Sequence, residues 1–270
     1  MADLNRCMSS LSEKGTEGII YKEKCKELGI ISQEELIKSL NSKSTLKISV
    51  SAMTVFEMEA VYHALIESPK IIHLKLFNNS IGDKGAELIA DLLESNSNLK
   101  VLFLRNNHIG EQGAIKIAEA LYSDDCALAE LSIAENSIGD RGSTAIADAL
   151  CINSTVSKLS IRDCAITDSG VISMRRLLEH NDSLVKLALE SNKIGATGTR
   201  YIVEGLLKNS TLQEISLMSN PIQNEGFESL CMVLNRFSNF NCSNCNISTV
   251  GASKFNQRLI ETFSSSLSNV

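Results

Sequence analysis

Tryptophan is absent from this 270-residue chain, and aromatic residues make up only 4% of it. A core built on aromatic anchors is therefore excluded. Whatever core exists must be aliphatic, made of stacked Leu and Ile. No apolar run approaches the roughly 20 residues that span a bilayer, so no membrane insertion is expected. Residues 1–11 are mixed and polar, and Glu13, Lys14 and Glu17 follow them. That leaves no apolar segment suited to a secretory signal, and the expected setting is a reducing cytoplasm. A basic excess is missing too: 26 Lys and Arg stand against 32 Asp and Glu, a net charge of −6. A general nucleic-acid binder needs a basic surface to displace counterions, so no nucleic acid is expected as partner. Phosphate-cradling Gly loops are also lacking. The histidines His63, His73, His108 and His180 fall on a helix, a strand, a turn and a loop. The pattern places no nucleophile and carboxylate beside any of them. No catalytic residue, metal or cofactor is expected, and an intrinsic enzyme ranks last.

Hydrophobic residues, at 43%, are enough for a folded chain. They are arranged periodically. A block Leu-x-x-Leu-x-Leu-x-x-Asn-x-Ile-Gly-x-x-Gly returns about every 28 residues, most clearly at Leu99, Leu102, Leu104, Asn107, Ile109, Gly110 and Gly113. The ladder position holds Asn79, Asn107, Asn136, Cys164, Asn192, Asn220 and Cys245. Two residues on stands Ile81, Ile109, Ile138, Ile166, Ile194, Ile222 and Ile247. Four further stands Gly85, Gly113, Gly142, Gly170, Gly198, Gly226 and Gly251, present in every copy. The earlier Gly is replaced by Thr167, Gln223 and Ser248 in three.

Each unit reads as strand, turn and helix. Leu-x-Leu, as in Leu74 and Leu76, alternates inward and outward as a strand does. The ladder Asn ends the strand, where its amide can bond backbone groups of a buried turn. Ala86, Ile89, Ala90 and Leu93 then recur at helical spacing, as do Ala114, Ile117, Ala118 and Leu121. The second Gly permits either close approach of helix and strand or a positive φ.

This pattern resembles the leucine-rich repeat with a helix on its outer face, over residues 46–262. In detail the Asn-x-Ile-Gly-x-x-Gly-Ala run, Asn79–Ala86 and Asn107–Ala114, is similar to the ribonuclease-inhibitor-like subfamily. That subfamily includes the sensor arrays of NOD-like receptors and the Ran GTPase-activating protein. The resemblance implies an α/β leucine-rich-repeat solenoid, a horseshoe with parallel strands on the concave face, helices on the convex face and helical caps at the ends.

Three segments are expected. Residues 1–45 form an N-terminal helical cap, with a charged helix over 18–28 ended by Gly29. Ser32 and Glu35 make a capping box for a second helix over 33–41. Residues 46–250 hold seven or eight repeats, opening with a degenerate strand at Leu46, Ile48 and Val50 and a helix over 55–66. Residues 251–270 form a C-terminal capping helix and tail.

Among the cysteines, Cys164 and Cys245 occupy ladder positions, Cys242 an inward strand position, and Cys231 a core place on a helix. Cys242-x-x-Cys245 has the spacing of half a zinc site, but no second pair or nearby His completes it. Reduced core thiols are the plainer reading.

Function must lie in positions the repeat leaves free, on the concave strand face. Phe77 and Phe103 fall outward in adjacent repeats, with Arg105 beside them. Exposed aromatics next to Arg are frequent interface anchors. Arg162, Glu190 and Met218 continue the row. These six are the candidate partner-binding residues. The rival reading is that Phe77 and Phe103 merely pack on each other or under the N-terminal cap. The expected function is non-enzymatic binding of a protein partner, by a monomer or weak dimer. The alternative is regulation of a small GTPase, which the resemblance to the Ran GTPase-activating protein implies, with Arg105 and Arg162 as phosphate or switch contacts. The Ser-rich tail 264–270 also resembles translocation tails of Legionella-type effectors. That implies a secreted effector binding a host protein in the host cytosol, against a host-encoded or protist repeat protein.

Overall fold

A computed structural model describes residues 16–42, 44–48, 53–66, 68–237 and 239–246. The chain divides into two compact units, one ending at Ser137 and one beginning at Ile138. The expected helix over 251–263 lies outside the described residues.

The first unit begins with α1 (Thr16–Glu27) and α2 (Glu34–Ser42). It continues through β1 (Thr45–Ile48), α3 (Val55–Leu65), β2 (His73–Leu76), α4 (Gly82–Ser95), β3 (Val101–Phe103), α5 (Glu111–Ala120) and β4 (Glu130–Ser132). Its strands pair in parallel, each with its neighbour in sequence. The second unit runs α6 (Gly139–Leu150), β5 (Lys158–Ser160), α7 (Ile172–His180), β6 (Lys186–Ala188), α8 (Ala196–Leu206), β7 (Glu214–Ser216), α9 (Gln223–Leu230) and β8 (Asn239–Asn241). Its four strands are also parallel and in order. Both units are stretches of an α/β leucine-rich-repeat solenoid. A strand of three or four residues cannot stand alone, so each repeat is stabilised by its neighbours.

The register sets like on like: Leu74 beside Leu102, and Leu102 beside Leu131. These Leu residues, with Leu76, Leu104 and Ile133, are buried against the helices. So are the helix stripes Ala86, Ile89, Ala90 and Leu93, and Ala114, Ile117, Ala118 and Leu121. Each fully buried aliphatic side chain contributes about 1.5–3 kcal/mol by removal from water. At the N-terminal end, α1 closes on Gly29, left-handed at φ 69°. Glu17, almost fully buried, accepts from Ser68 Oγ at 2.9 Å and Lys70 Nζ at 3.2 Å. A capping box forms at Thr54 and Glu57 and starts α3, where no Asn or Gly marked the turn in the sequence.

The ladder works as expected in donation. Asn79 Nδ2 donates to Ile48 O, Asn107 to Leu76 O, Asn136 to Leu104 O, Asn192 to Ile161 O and Asn220 to Leu189 O. Acceptance is less uniform, because two kinds of turn occur. In one, the ladder oxygen takes backbone N–H groups of the repeat before it. Asn136 Oδ1 accepts from Asn107 N and Ile109 N, both at 3.0 Å, and Asn192 Oδ1 accepts from Cys164 N and Ile166 N. In the other, the residue after the conserved Ile is left-handed: Gly82, Gly139 and Gln223 have φ near 60°. Its N–H then reaches the backbone oxygen of the next ladder residue, Asn107, Cys164 or Cys245. The side-chain acceptor is idle there, and Asn107 Oδ1 is buried without a partner. Cysteine offers no amide oxygen, and both ladder cysteines follow this second turn.

The residue just before each ladder position is left-handed in all seven copies: Asn78, Asn106, Glu135, Asp163, Ser191, Ser219 and Asn244, with φ of 51–58°. The strand row therefore ends one residue earlier than alternation suggests. Asn, Asp and Ser tolerate this conformation through local hydrogen bonding, whereas Glu135 has less such help.

The second Gly serves close approach. None of Gly85, Gly113, Gly170, Gly198 and Gly226 has positive φ, and a Cβ on Gly170 would stand 2.8 Å from Ile166 Cγ2 and 2.9 Å from Asp140 Cα. Asp140 Oδ1 also holds Thr167 N at 2.7 Å, so it has little freedom to move. Gly170→Ala should destabilise by about 2 kcal/mol, an overpacking effect. Gly29→Ala, in open space, should lose only about 1 kcal/mol through its left-handed backbone. Urea denaturation of the two variants checks the order.

Candidate protein-binding face

In each unit the outward strand positions form a face with little relief. In the first, Phe77 follows β2 and Phe103 ends β3, both half-buried. Their ring centroids lie 6.1 Å apart at an interplanar angle of 44°. The rings thus pack on each other and still present surface. Lys47 Nζ lies over the Phe77 ring at 5.9 Å, and Lys75 Nζ over the Phe103 ring at 4.8 Å. Arg105 is exposed, and its Nε is bonded to Glu135 Oε2 at 2.7 Å. Beyond the rings the face is small at Ser132, half-buried on β4, and at the buried Ala134.

Arg162, Glu190 and Met218 belong to the second unit, just beyond β5, β6 and β7, and all are half-buried. One carboxylate oxygen of Glu190 is buried without a hydrogen-bond partner. Met218 Sδ receives a weak bond from Asn241 Nδ2 at 3.8 Å. Glu190 borders a shallow depression of about 150 Å³, together with Lys186, Ala188, Glu214 and Asn241. Lys186 pairs with Glu214 at 2.8 Å across it. The six candidates therefore fall as two groups of three, one in each unit.

Sequence reasoning missed Lys47 as a member of this face. The alternation of Leu46, Lys47 and Ile48 held the signal, since the residue between two buried ones must point outward. It did not pair Glu135 with Arg105, to which it is bonded at 2.7 Å.

The cysteines are free thiols at every described position. Cys231 corrects the sequence reading: α9 ends at Leu230, and Cys231 caps it half-buried instead of lying within the core. Burial pushes the Cys242 thiol up to about 12, with Cys245 and Cys231 adding to the shift. Burial raises Cys245 as well. Among the described residues no group of three or more His, Cys, Asp or Glu side chains is placed to hold a metal ion. A thiol whose folded pKa is raised favours folding in its neutral form. That contribution is intact below the ordinary thiol value of 9 and lost as pH climbs from 9 to 12. The urea midpoint should fall over this window, and Cys242→Ala should flatten the fall.

A family model described as Leucine Rich repeat matches residues 67–90, 95–118, 153–174 and 208–231. These matched stretches agree with the strand-turn-helix units above, which fold as a leucine-rich-repeat solenoid. No curated protein sequence matches it. Among solved structures, actin-binding site 2 of leiomodin-1 is 19% identical, with a TM-score of 0.41, over 58% of this chain and 82% of that one. The tropomodulin C-terminal domain of Caenorhabditis elegans is 18% identical, with a TM-score of 0.45, over 56% and 94%. An internalin of Listeria monocytogenes is 19% identical, also at 0.45, over 69% and 52%. These likenesses say nothing of what this chain binds.

Proposed function

We propose that the chain is a non-enzymatic protein-interaction module whose strand face receives its partner. The observation that carries this is the Phe77–Phe103 pair, two half-buried rings held side by side on parallel strands with a cation over each. Aromatic anchors of this kind supply binding energy with little ordering cost, because the strands are already fixed. The unsatisfied oxygen of Glu190 adds support, since a donor from a partner would complete it. The flat stretch around Ser132 suits a protruding protein element better than a small molecule.

Affinity capture from a cell extract tests this. Ser132→Arg projects a long charged chain from β4 into the docking path. It should abolish capture while leaving the melting temperature within a degree or two of wild type. Undiminished capture by a folded Ser132→Arg variant contradicts the proposal.

Regulation of a small GTPase has no specific observation in its favour, because Arg105 is committed to Glu135 instead of standing ready for phosphate. Secretion as an effector rests on the tail 264–270, outside the described residues, and deletion of residues 256–270 followed by a translocation assay tests it.

A further inference from the structure

We infer that the β1–β3 face of the first unit binds an acidic polypeptide segment, two of whose carboxylates settle on Lys47 and Lys75. The inference rests on the protein-binding proposal above and specifies the chemistry of the partner.

The register carries the argument. Lys47 lies directly opposite Lys75 on the adjacent parallel strand. Neighbouring strands are about 4.8 Å apart, and like charges set opposite each other are destabilising. Two other cations on the strand faces have carboxylate partners. In the second unit Lys186 lies opposite Glu214, in the outward row before that of Lys47 and Lys75, and is bonded to it at 2.8 Å. Arg105 is bonded to Glu135 at 2.7 Å. Neither Lys47 nor Lys75 has a carboxylate partner among the described residues. Their ammonium groups rest over the Phe77 and Phe103 rings, at 5.9 and 4.8 Å. The ring quadrupole offsets part of the repulsion and fixes the cations in place. The result is a local pair of preorganised positive charges on a chain whose net charge is −6. Two incoming carboxylates would relieve the repulsion and find their donors already positioned.

The same geometry disfavours a nucleic acid. A base stacks on an open ring face, and here it would have to displace an ammonium from each ring. A polyanion would also meet the net negative charge of the rest of the chain.

The test uses the full chain and fluorescence anisotropy with three labelled probes: the peptide Glu-Glu-Leu repeated four times, the same peptide with Gln for Glu, and a single-stranded oligothymidine of matched length. The Glu peptide should bind most tightly. Combining Lys47→Gln with Lys75→Gln should weaken it about tenfold. Raising the salt from about 50 to about 300 mM should weaken binding to the wild type and have little effect on the double variant. Circular dichroism establishes that the variant is folded, and both lysines are on the surface. The inference is overturned by equal binding of the Gln peptide, by tighter binding of the oligothymidine, by full affinity in the double variant, or by no Glu-peptide binding at all. Capture of the cellular partner separates the two levels. If the double-lysine variant still captures it and Ser132→Arg does not, the acidic chemistry is wrong and the docking face stands. If Ser132→Arg also captures it, the docking face itself is wrong.

Discussion

Asn136→Ala should be a severe ladder substitution, destabilising by about 3–5 kcal/mol, whereas Cys164→Ala should lose about 1 kcal/mol. The ladder positions look equivalent in sequence, so the contrast comes from the turns. The Asn136 amide donates to Leu104 O, Ile133 O and Ala134 O, and its oxygen accepts from Asn107 N and Ile109 N. Removing it strands several buried backbone groups at once, each worth about 1–3 kcal/mol when left unmade. Cys164 Sγ bonds weakly to Arg162 O at 3.4 Å, and its backbone oxygen already serves Gly139 N. Alanine keeps that backbone acceptor. Urea denaturation of both variants decides the matter. Equal losses would mean that the two turn types have no energetic consequence.

Combining Phe77→Ala with Phe103→Ala should weaken partner binding at least 100-fold, the product of two anchors worth about 1.5–2 kcal/mol each or more. The expected loss of stability is smaller, about 1–2 kcal/mol, because the rings are half-buried and mainly give up their mutual contact. Affinity and stability should therefore separate. A single substitution should lose more than half of the combined binding effect, since each ring orients the other and each supports a lysine.

Much of the fold was legible from one residue class. The Leu, Ile and Gly that repeat each 28 residues or so are those that must be buried or closely approached, and burial is periodic in a solenoid. Alternation along Leu-x-Leu also placed Phe77, Phe103 and Arg105 on the correct face. What stayed hidden depended on backbone conformation and partner choice. Asn78 and Ser219 look like ordinary outward residues, and only their φ shows that the strand has ended. Gly82 and Gly110 occupy the same motif position, yet the first is left-handed and the second is extended at φ −97°. Identical letters thus serve two turns, which differ in whether the backbone oxygen or the side-chain oxygen of the next ladder residue is used. Arg105 read as a free anchor because its partner, Glu135, lies 30 residues away in a position the repeat does not specify.

The central claim is that the strand face of the first unit, and not the helix face, binds the partner. The most direct measurement is a titration of the captured partner against three proteins: wild type, the variant combining Phe77→Ala with Phe103→Ala, and Tyr122→Ser, which alters an exposed aromatic just beyond the end of α5. The account predicts that Kd rises at least 100-fold for the double-phenylalanine variant and less than about twofold for Tyr122→Ser. An unchanged Kd for the folded double variant, or a larger rise for Tyr122→Ser, would contradict it.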